Sequence, residues 1–475
     1  MMPRAIRPAL ALLVAAAATA GAQAKPTLAT MPPDAERAVA RAIYQEMVEV
    51  KSGFTTGTTT PIAEATAKRF REAGFPERDI FVGGAAPHKM NVVVRYRGAG
   101  KGKPILLLAH TDVVEAKRED WNMDPFAFIE KDGYFYGRGV GDDKSQAAIW
   151  VATLLRFKRE GFVPERDLIL ALTADEEGGG PFNGVEWLLK NHRDLIDAEY
   201  ALNEGGWGES EKGVRISNAI QLAEKWVLNV KMAVTNKGGH SSLPVPDNAI
   251  FRLAAGLDKL SRSGFPLKVN EVSSAYFKAM SETEKGPLKA DLAAIARGDK
   301  AAMARVAKNS TQWNAMLRTT CIPTGLEGGH ARNALPQLAV AWVNCRVMPE
   351  DKADYVLGEL RRIVADTSIH VSLEGDAIAG PASPMRADVM ESTRAVTSGM
   401  WPGVVTVPLM VMGGTDGRYL RSSGIPSYGV QGIFYDRDDI RFHGRDERLR
   451  VTSFYEGQQF LYELVKRLSG RTTGA

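Results

Sequence analysis

Apolar residues along this chain follow two alternating periods. From residue 33 to about 223, stretches with helical spacing, AERAVARAIYQEMVEV and AAIWVATLLRFKRE, stand among the apolar runs NVVVRYRG, ILLLAH and DLILALTA. Such runs read as buried strands, and their alternation with helices predicts βαβ units and a mainly parallel sheet. At Glu224 the pattern changes. KWVLNVKMAV alternates apolar and polar positions, as a strand wet on one face does. The helix NAIFRLAAGLDKL, the strands TTCIPTGLEG and QLAVAWVNCRVMP, the helix KADYVLGELRRIVAD and the strand HVSLEGD follow. That β-α-β-β-α-β order predicts a ferredoxin-like α+β domain over 224–380, interrupted at 264–313 by an Ala-, Lys- and Glu-rich stretch that reads as helical. From 381 to 470 the α/β pattern returns with VVTVPLMVMGG and the closing helix SFYEGQQFLYELVKRL. The smaller domain is therefore expected to interrupt a larger α/β one, between its parts at 33–223 and 381–470.

Residues 1–24 stand apart from this pattern. Arg4 and Arg7 precede an Ala-rich run from Ala9 to Ala20 and then Ala22-Gln23-Ala24. These are the charged, apolar and small-residue parts of a cleavable secretory signal peptide. The run is too short to hold a membrane, and no cysteine near the cleavage point offers a lipid anchor. A periplasmic or secreted location is expected. Over 475 residues, 60 Lys and Arg stand against 56 Asp and Glu for a net charge of +4, two of which belong to the leader. That balance gives no case for nucleic acid or acidic membranes as partners. Only Cys321 and Cys345 are present, both in expected strands of the smaller domain. A disulfide framework is excluded, while one cross-strand bridge and two buried thiols both fit.

The chemistry gathers in His110-x-Asp112, Asp142, Glu176-Glu177, Glu204 and His443. Most of these positions follow ILLLAH, DLILALTA, EYALN and SYGVQGIFY, where strands stop and an open α/β sheet places its active site. Two imidazoles and several carboxylates without a thiolate suit two divalent ions in N/O coordination, zinc foremost, with cobalt or manganese as alternatives. Asp112, two residues beyond His110 on extended backbone, faces the same way and is placed to orient that imidazole. Asp142 lies in GRGVGDDKS before a helix. Asp143 is expected to cap the helix, leaving Asp142 to bridge two cations that repel each other at roughly 3.5–4 Å. In an extended segment Glu176 and Glu177 point opposite ways, so that one ligates and the other addresses the open coordination site. Glu204 is preferred to Asn203 because a carboxylate binds a divalent cation better than an amide does.

The strings LLLAHTDVV, GRGVGDDKS, TADEEGG, LNEGG, TNKGGHSS, GGHARNALP, MGGTDGRYL and HGRDERL, in this order over most of the chain, resemble the dizinc peptidase family of aminoacylase, carboxypeptidase G, desuccinylases and carnosinase. The resemblance implies a catalytic α/β domain interrupted by a lid domain that commonly dimerises. It implies that His110 and Glu204 bind one metal, Glu177 and His443 the other, and that Asp142 bridges them. It assigns Glu176 as general base and His240 as donor to the oxyanion, often across the dimer interface. Asn333, Arg346, Gly414 and Thr415 occupy motifs that close on a substrate carboxylate, for which the planar fork of arginine is suited.

Several readings stay open in the residues. Arg346 also fits a strand-edge surface charge, Arg418 and Asp416 are placed to pair with each other, and Glu447 is either support for His443 or a surface acid. His330 reads as a solvated loop residue, His88, His192 and His370 as structural or surface, and Met280, Met303 and Met316 as packing. The insertion resembles the subgroup of Gly-X carboxypeptidase and secreted N-acyl amino acid hydrolases, which implies a small N-acyl amino acid or dipeptide substrate with a free carboxylate. It either lies over the cleft and accepts an apolar group, or is a dimer-stabilising arm. An aminopeptidase or dipeptidase of the same family, and an inactive metal-binding homologue, are the alternatives. The latter would not need Glu176.

Overall fold

The runs ILLLAH and LILALT become the strands Ile105–His110 and Leu168–Thr173, buried at every position. Alternate residues of each enter opposite cores. Leu107, Ala109, Leu170 and Leu172 join the larger core, and Leu106, Leu108, Ile169 and Ala171 the smaller one on the other face. This is why their sequences carry no alternation. The computed structural model describes residues 25–375 and 377–470, so the expected signal at 1–24 lies outside the described residues.

These two strands pair in parallel from Ile105 against Leu168 to His110 against Thr173, so they end level. Tyr200–Asn203 runs parallel to Ile105–His110, and Ser427–Gly429 parallel to Tyr200–Asn203. The centre of the sheet is thus parallel. On one side Lys89–Tyr96 and Ile80–Ala86 are antiparallel. On the other, Val214–Glu224 meets Ser427–Gly429 antiparallel and Val405–Val411 in parallel. Helices Asp34–Val48, Lys144–Glu160, Ala387–Met400 and Val451–Ser469 bury their apolar stripes in the larger core. Lys144–Glu160 stops at Gly161, whose φ of 66° the missing side chain permits.

The smaller sheet has the order Thr320–Gly328, Leu338–Val347, Trp226–Thr235, His370–Leu373, antiparallel throughout. With helices Ala249–Arg262 and Ala353–Val364 it forms the expected ferredoxin-like unit. Cys321 and Cys345 lie directly opposite in its ladder and form a disulfide.

The insertion is helical, as Glu271–Thr283, Gly286–Ile295, Lys300–Asn309 and Thr311–Met316. Its apolar residues do not line an open cleft. Val272, Tyr276, Phe277 and Met280 join the same core as Leu409 and Met410 of the large sheet, and Met303 and Met316 are buried there too. Burying that face against the large sheet welds the insertion to the larger domain.

Candidate metal centre

His110 is the last residue of its strand, and its Nδ1 lies 3.0 Å from the backbone oxygen of Asp112. A carbonyl only accepts, so Nδ1 carries the proton and Nε2 presents its lone pair to the site. There Nε2 stands 3.0 Å from Oδ1 of Asp142 and 3.8 Å from Oε1 of Glu204. His443 Nε2 stands 3.1 Å from the other oxygen of Asp142 and 3.0 Å from Oε1 of Glu177. Asp142 therefore offers one oxygen to each imidazole. His110, Asp142 and Glu177 form one group with ligand atoms within 4.8 Å of one another, and His110, Glu176 and Glu204 another.

The electrostatics of the cluster call for cations. Burial, followed by Asp142 and other neighbouring acids, pushes the Glu204 carboxyl well above the carboxylate range. Burial does the same to Glu176, where Asp416, Glu177 and Asp112 add repulsion against the pull of His110. Glu177 is raised as well, again by burial first. His443 is held up to about 10 by its hydrogen bonds to Asp142 and Glu177. Among the described residues no lysine or arginine forms an ion pair with Asp142, Glu176, Glu177 or Glu204. Crowded carboxylates that can ionise together only beside positive charge, with two imidazoles aimed among them, are the donor set of a dinuclear metal centre.

Several site residues are held otherwise than the sequence predicts. The Asp112 side chain does not make the close contact to His110, its Oδ1 being 3.6 Å from Nδ1. Instead its two oxygens accept the backbone N–H groups of Glu176 and Glu177, each at 3.0 Å. Those glutamates lie in a turn beyond Thr173, with Asp175 at φ 62°, so the turn rather than an extended backbone separates their side chains. Asp143 makes no capping hydrogen bond. It is buried and accepts from Gln431 Nε2 at 3.4 Å. His443 is not at a strand end. It occupies a loop between Phe434–Asp436 and Arg448–Arg450, at φ 60°. Arg138, which the sequence reading missed, donates to the backbone oxygens of His443 and Gly444 at 3.2 and 2.9 Å and to Glu447 Oε2 at 2.6 Å. Glu447 Oε1 in turn accepts Gly141 N–H at 2.7 Å, which makes that acid a buried tie between the His443 loop and the segment before Asp142. The only signal for Arg138 was its place in GRGVGDDKS.

Asp416 and Arg418 do not pair by hydrogen bonds. Asp416 accepts from Asn183 Nδ2 at 2.7 Å and Thr173 Oγ1 at 3.1 Å, while Arg418 donates to the Tyr419 hydroxyl at 3.0 Å. Thr415 gives its hydroxyl proton to Glu224 Oε2 at 2.7 Å, and Gly414 precedes it beside the Arg418 guanidinium. On the smaller domain, the short strand Gly239–His240 pairs with Ala334–Leu335. His240 is exposed and bonded to Ser242, and the Asn333 carbonyl accepts Ser241 N–H. Neither bonds to the cluster. Arg346, half-buried on Leu338–Val347, is near enough to Arg418 to feel its charge. From Asp142 and Glu204 a cavity of about 230 Å³ runs between Trp207, Leu409, Val411, Met412 and Phe442, with Gln312 of the insertion at its wall.

The family model described as Peptidase family M20/M25/M40 matches residues 106–467. The chain belongs to this family. It is 27% identical to human N-fatty-acyl-amino acid synthase/hydrolase PM20D1 over 373 residues, 77% of this chain and 74% of that protein. It is 26% identical to mouse Aminoacylase-1 over 411 residues, 86% and 89% of the two. Its fold is that of the M20 family metallo-carboxypeptidase Sso-CP2 from Sulfolobus solfataricus, with a TM-score of 0.68 at 17% identity over 90% of this chain and 99% of that one. The chain is a metal-dependent hydrolase acting on amide or peptide C–N bonds, with a dinuclear centre.

Proposed function

We propose that this M20 hydrolase cleaves the amide of a small N-acyl amino acid, or of a dipeptide, that carries a free carboxylate and an apolar group, and that it works after export to the periplasm or outside. The observation that carries this reading is the juxtaposition of the doubly facing Asp142 with an apolar cavity opening directly onto it. At about 30 Å³ for each water-sized group, a space of about 230 Å³ takes a medium-length acyl chain or an aromatic ring. The names of the relatives, a fatty-acyl amino acid hydrolase and an aminoacylase, point the same way.

In this reading His110 and Glu204 would hold one ion and Glu177 and His443 the other, with Asp142 serving both. Two such ions, when bound, would bring the pKa of a water down toward neutrality and would polarise the scissile carbonyl. Glu176, left outside the ligand set, accepts the proton of the attacking water and returns it to the leaving nitrogen, so that the proton balance closes on one side chain. Asp112 fixes the turn that carries this base. His240 donates to the developing oxyanion once the smaller domain closes or a second copy of the chain brings it across a dimer. Asn333, Arg346, Gly414 and Thr415 receive the carboxylate end.

A panel of N-acyl amino acids of rising chain length, dipeptides and aminoacyl amides, assayed with the zinc-loaded wild type and Glu176→Gln, tests this. The wild type should favour apolar acyl groups on a free amino acid, and the variant should keep its zinc while losing about 10²–10⁴ in turnover. Equal rates in the two proteins would remove Glu176 from the reaction. A preference for substrates with a free amine would turn the reading toward an aminopeptidase.

A further inference from the structure

A cavity of about 320 Å³ lies at the seam between the smaller domain and the helical insertion. The end of helix Ala249–Arg262 and the start of strand Thr320–Gly328 line it from one side, and Asn314 of the helix Thr311–Met316 from the other. Its wall is apolar at Leu260, Phe265, Ile322 and Ile363, and Ser263 adds a hydroxyl. One full charge enters this space, the guanidinium of the half-buried Arg318. Among the described residues that guanidinium makes no hydrogen bond and no ion pair, and its Nε is buried without a partner. Gly264 leaves it room, since a Cβ there would collide with its NH1 group. The surroundings do not neutralise it. Lys225 donates to the Arg318 backbone oxygen at 2.6 Å and repels the guanidinium, while Asp351, the acid that draws on Lys225, is taken by the Lys268 ammonium and the Thr319 hydroxyl. Burial pulls the Arg318 side chain below the usual arginine range. A cation held partly out of water with no counter-ion is costly, and an anion that meets it removes much of that cost.

We infer that this cavity is a second ligand site, apart from the metal centre, which takes a medium-length aliphatic monocarboxylate with its head group on Arg318 and its chain against Leu260, Phe265 and Ile363. The guanidinium fork matches the two oxygens of a carboxylate, and such charge-assisted contacts are stronger than neutral ones. A compact anion such as phosphate would leave the apolar wall unfilled, and a neutral chain would leave Arg318 unpaired. At about 30 Å³ for each water-sized group, a space of about 320 Å³ takes roughly ten non-hydrogen atoms, the size of octanoate. No residue of this lining belongs to the cavity at Asp142, yet Gln312 of that cavity and Asn314 of this one sit on the same short helix. A ligand here therefore bridges the smaller domain to the element that borders the catalytic cavity. The site does not depend on which amide the metal centre cleaves.

The test is equilibrium dialysis of octanoate against the full-length zinc-loaded protein, with acetohydroxamate present at a concentration that fills the metal centre. The wild type should still hold one octanoate per chain. Arg318→Gln should weaken that binding by about ten- to a hundredfold. Arg318→Lys, which keeps the charge and loses the fork, should recover part of the affinity and stands in should the glutamine variant not fold. Ile322→Glu, at a side chain 63% exposed, sets a carboxylate at the cavity and should weaken octanoate to a similar degree with Arg318 intact. Octanamide and inorganic phosphate should each bind at least about tenfold more weakly than octanoate. Loss of all octanoate once acetohydroxamate fills the metal centre, or affinities within about threefold of wild type in the Arg318 and Ile322 variants, overturns the inference. Phosphate bound as tightly as octanoate would mark a plain anion site and octanamide bound as tightly a plain apolar pocket, and either result refutes the carboxylate assignment.

Discussion

Replacing Asp112 by asparagine separates two ways in which this residue can serve the centre. Its carboxylate is wholly buried and spends one oxygen on each of two consecutive N–H groups, those of Glu176 and Glu177, at 3.0 Å. Asparagine keeps one acceptor and turns an NH₂ group toward the other N–H, donor against donor. The loss of one hydrogen bond to a charged group, about 1.5–3 kcal/mol, adds to an unsatisfied buried donor at about 1–3 kcal/mol, for roughly 2.5–6 kcal/mol in all. The turn can escape part of this by moving away, but it carries both a proposed ligand and the proposed base, and a shift of about 1 Å costs on the order of 10² in rate. The His110 ring is held by the Asp112 carbonyl, which the substitution leaves in place. Asp112→Asn should therefore lower kcat by at least about tenfold with KM little changed, and weaken metal binding about 10–100-fold. Steady-state kinetics together with zinc competition against a chelator measure both. If kcat and zinc affinity stay within about threefold of wild type, the side chain merely backs the imidazole and the clamp is not needed.

Two further outcomes follow from buried charges. Arg138→Met breaks a buried ion pair with Glu447 and unties the His443 loop, a change of about 3–5 kcal/mol; zinc titration should then show one tight and one weak ion, and two unchanged affinities would contradict the tie. Burial, then the neighbouring charge of Arg346, pushes the Lys225 ammonium down to about 7, and burial takes Lys144 to a similar value. Between about pH 7 and the ordinary lysine value near 10.4 the unfolded chain binds more protons than the folded one, so stability rises with pH across that window. Denaturant midpoints measured from pH 7 to 9.5 should show this rise in the wild type and about half of it in Lys225→Met; an unaltered slope would refute the assignment.

The helices with clean apolar stripes, such as Asp34–Val48 and Ala353–Val364, and the continuous runs around His110 and Thr173 were legible because burial and sequence pattern coincide there. The strand Val214–Glu224 was not. Its Ser217, Asn218, Gln221 and Glu224 are buried polar residues, and Asn218 and Glu224 find partners remote in sequence, Thr397 and Thr415. Nothing in a local hydropathy pattern marks such a segment as central. The antiparallel flanks of the large sheet escaped for a related reason, since strand direction is set by pairings that local composition does not encode. Within the site, spacing and residue type brought His110, Asp142, Glu176, Glu177, Glu204 and His443 to attention together. The parts that hold them depend on tertiary contacts, and there the reading missed Arg138 and the two backbone N–H groups that Asp112 accepts from Glu176 and Glu177. Likewise the Ala-rich composition of 264–313 foretold helices but not the sheet they cover.

The most direct test of the account is a metal count on the purified protein, joined to an anomalous difference map at the zinc edge. The account predicts two ions per chain, roughly 3.5–4 Å apart, one on each side of the Asp142 carboxylate and each beside one of the imidazoles of His110 and His443. A single ion, or none between those rings in a protein that still hydrolyses its substrate, would contradict it.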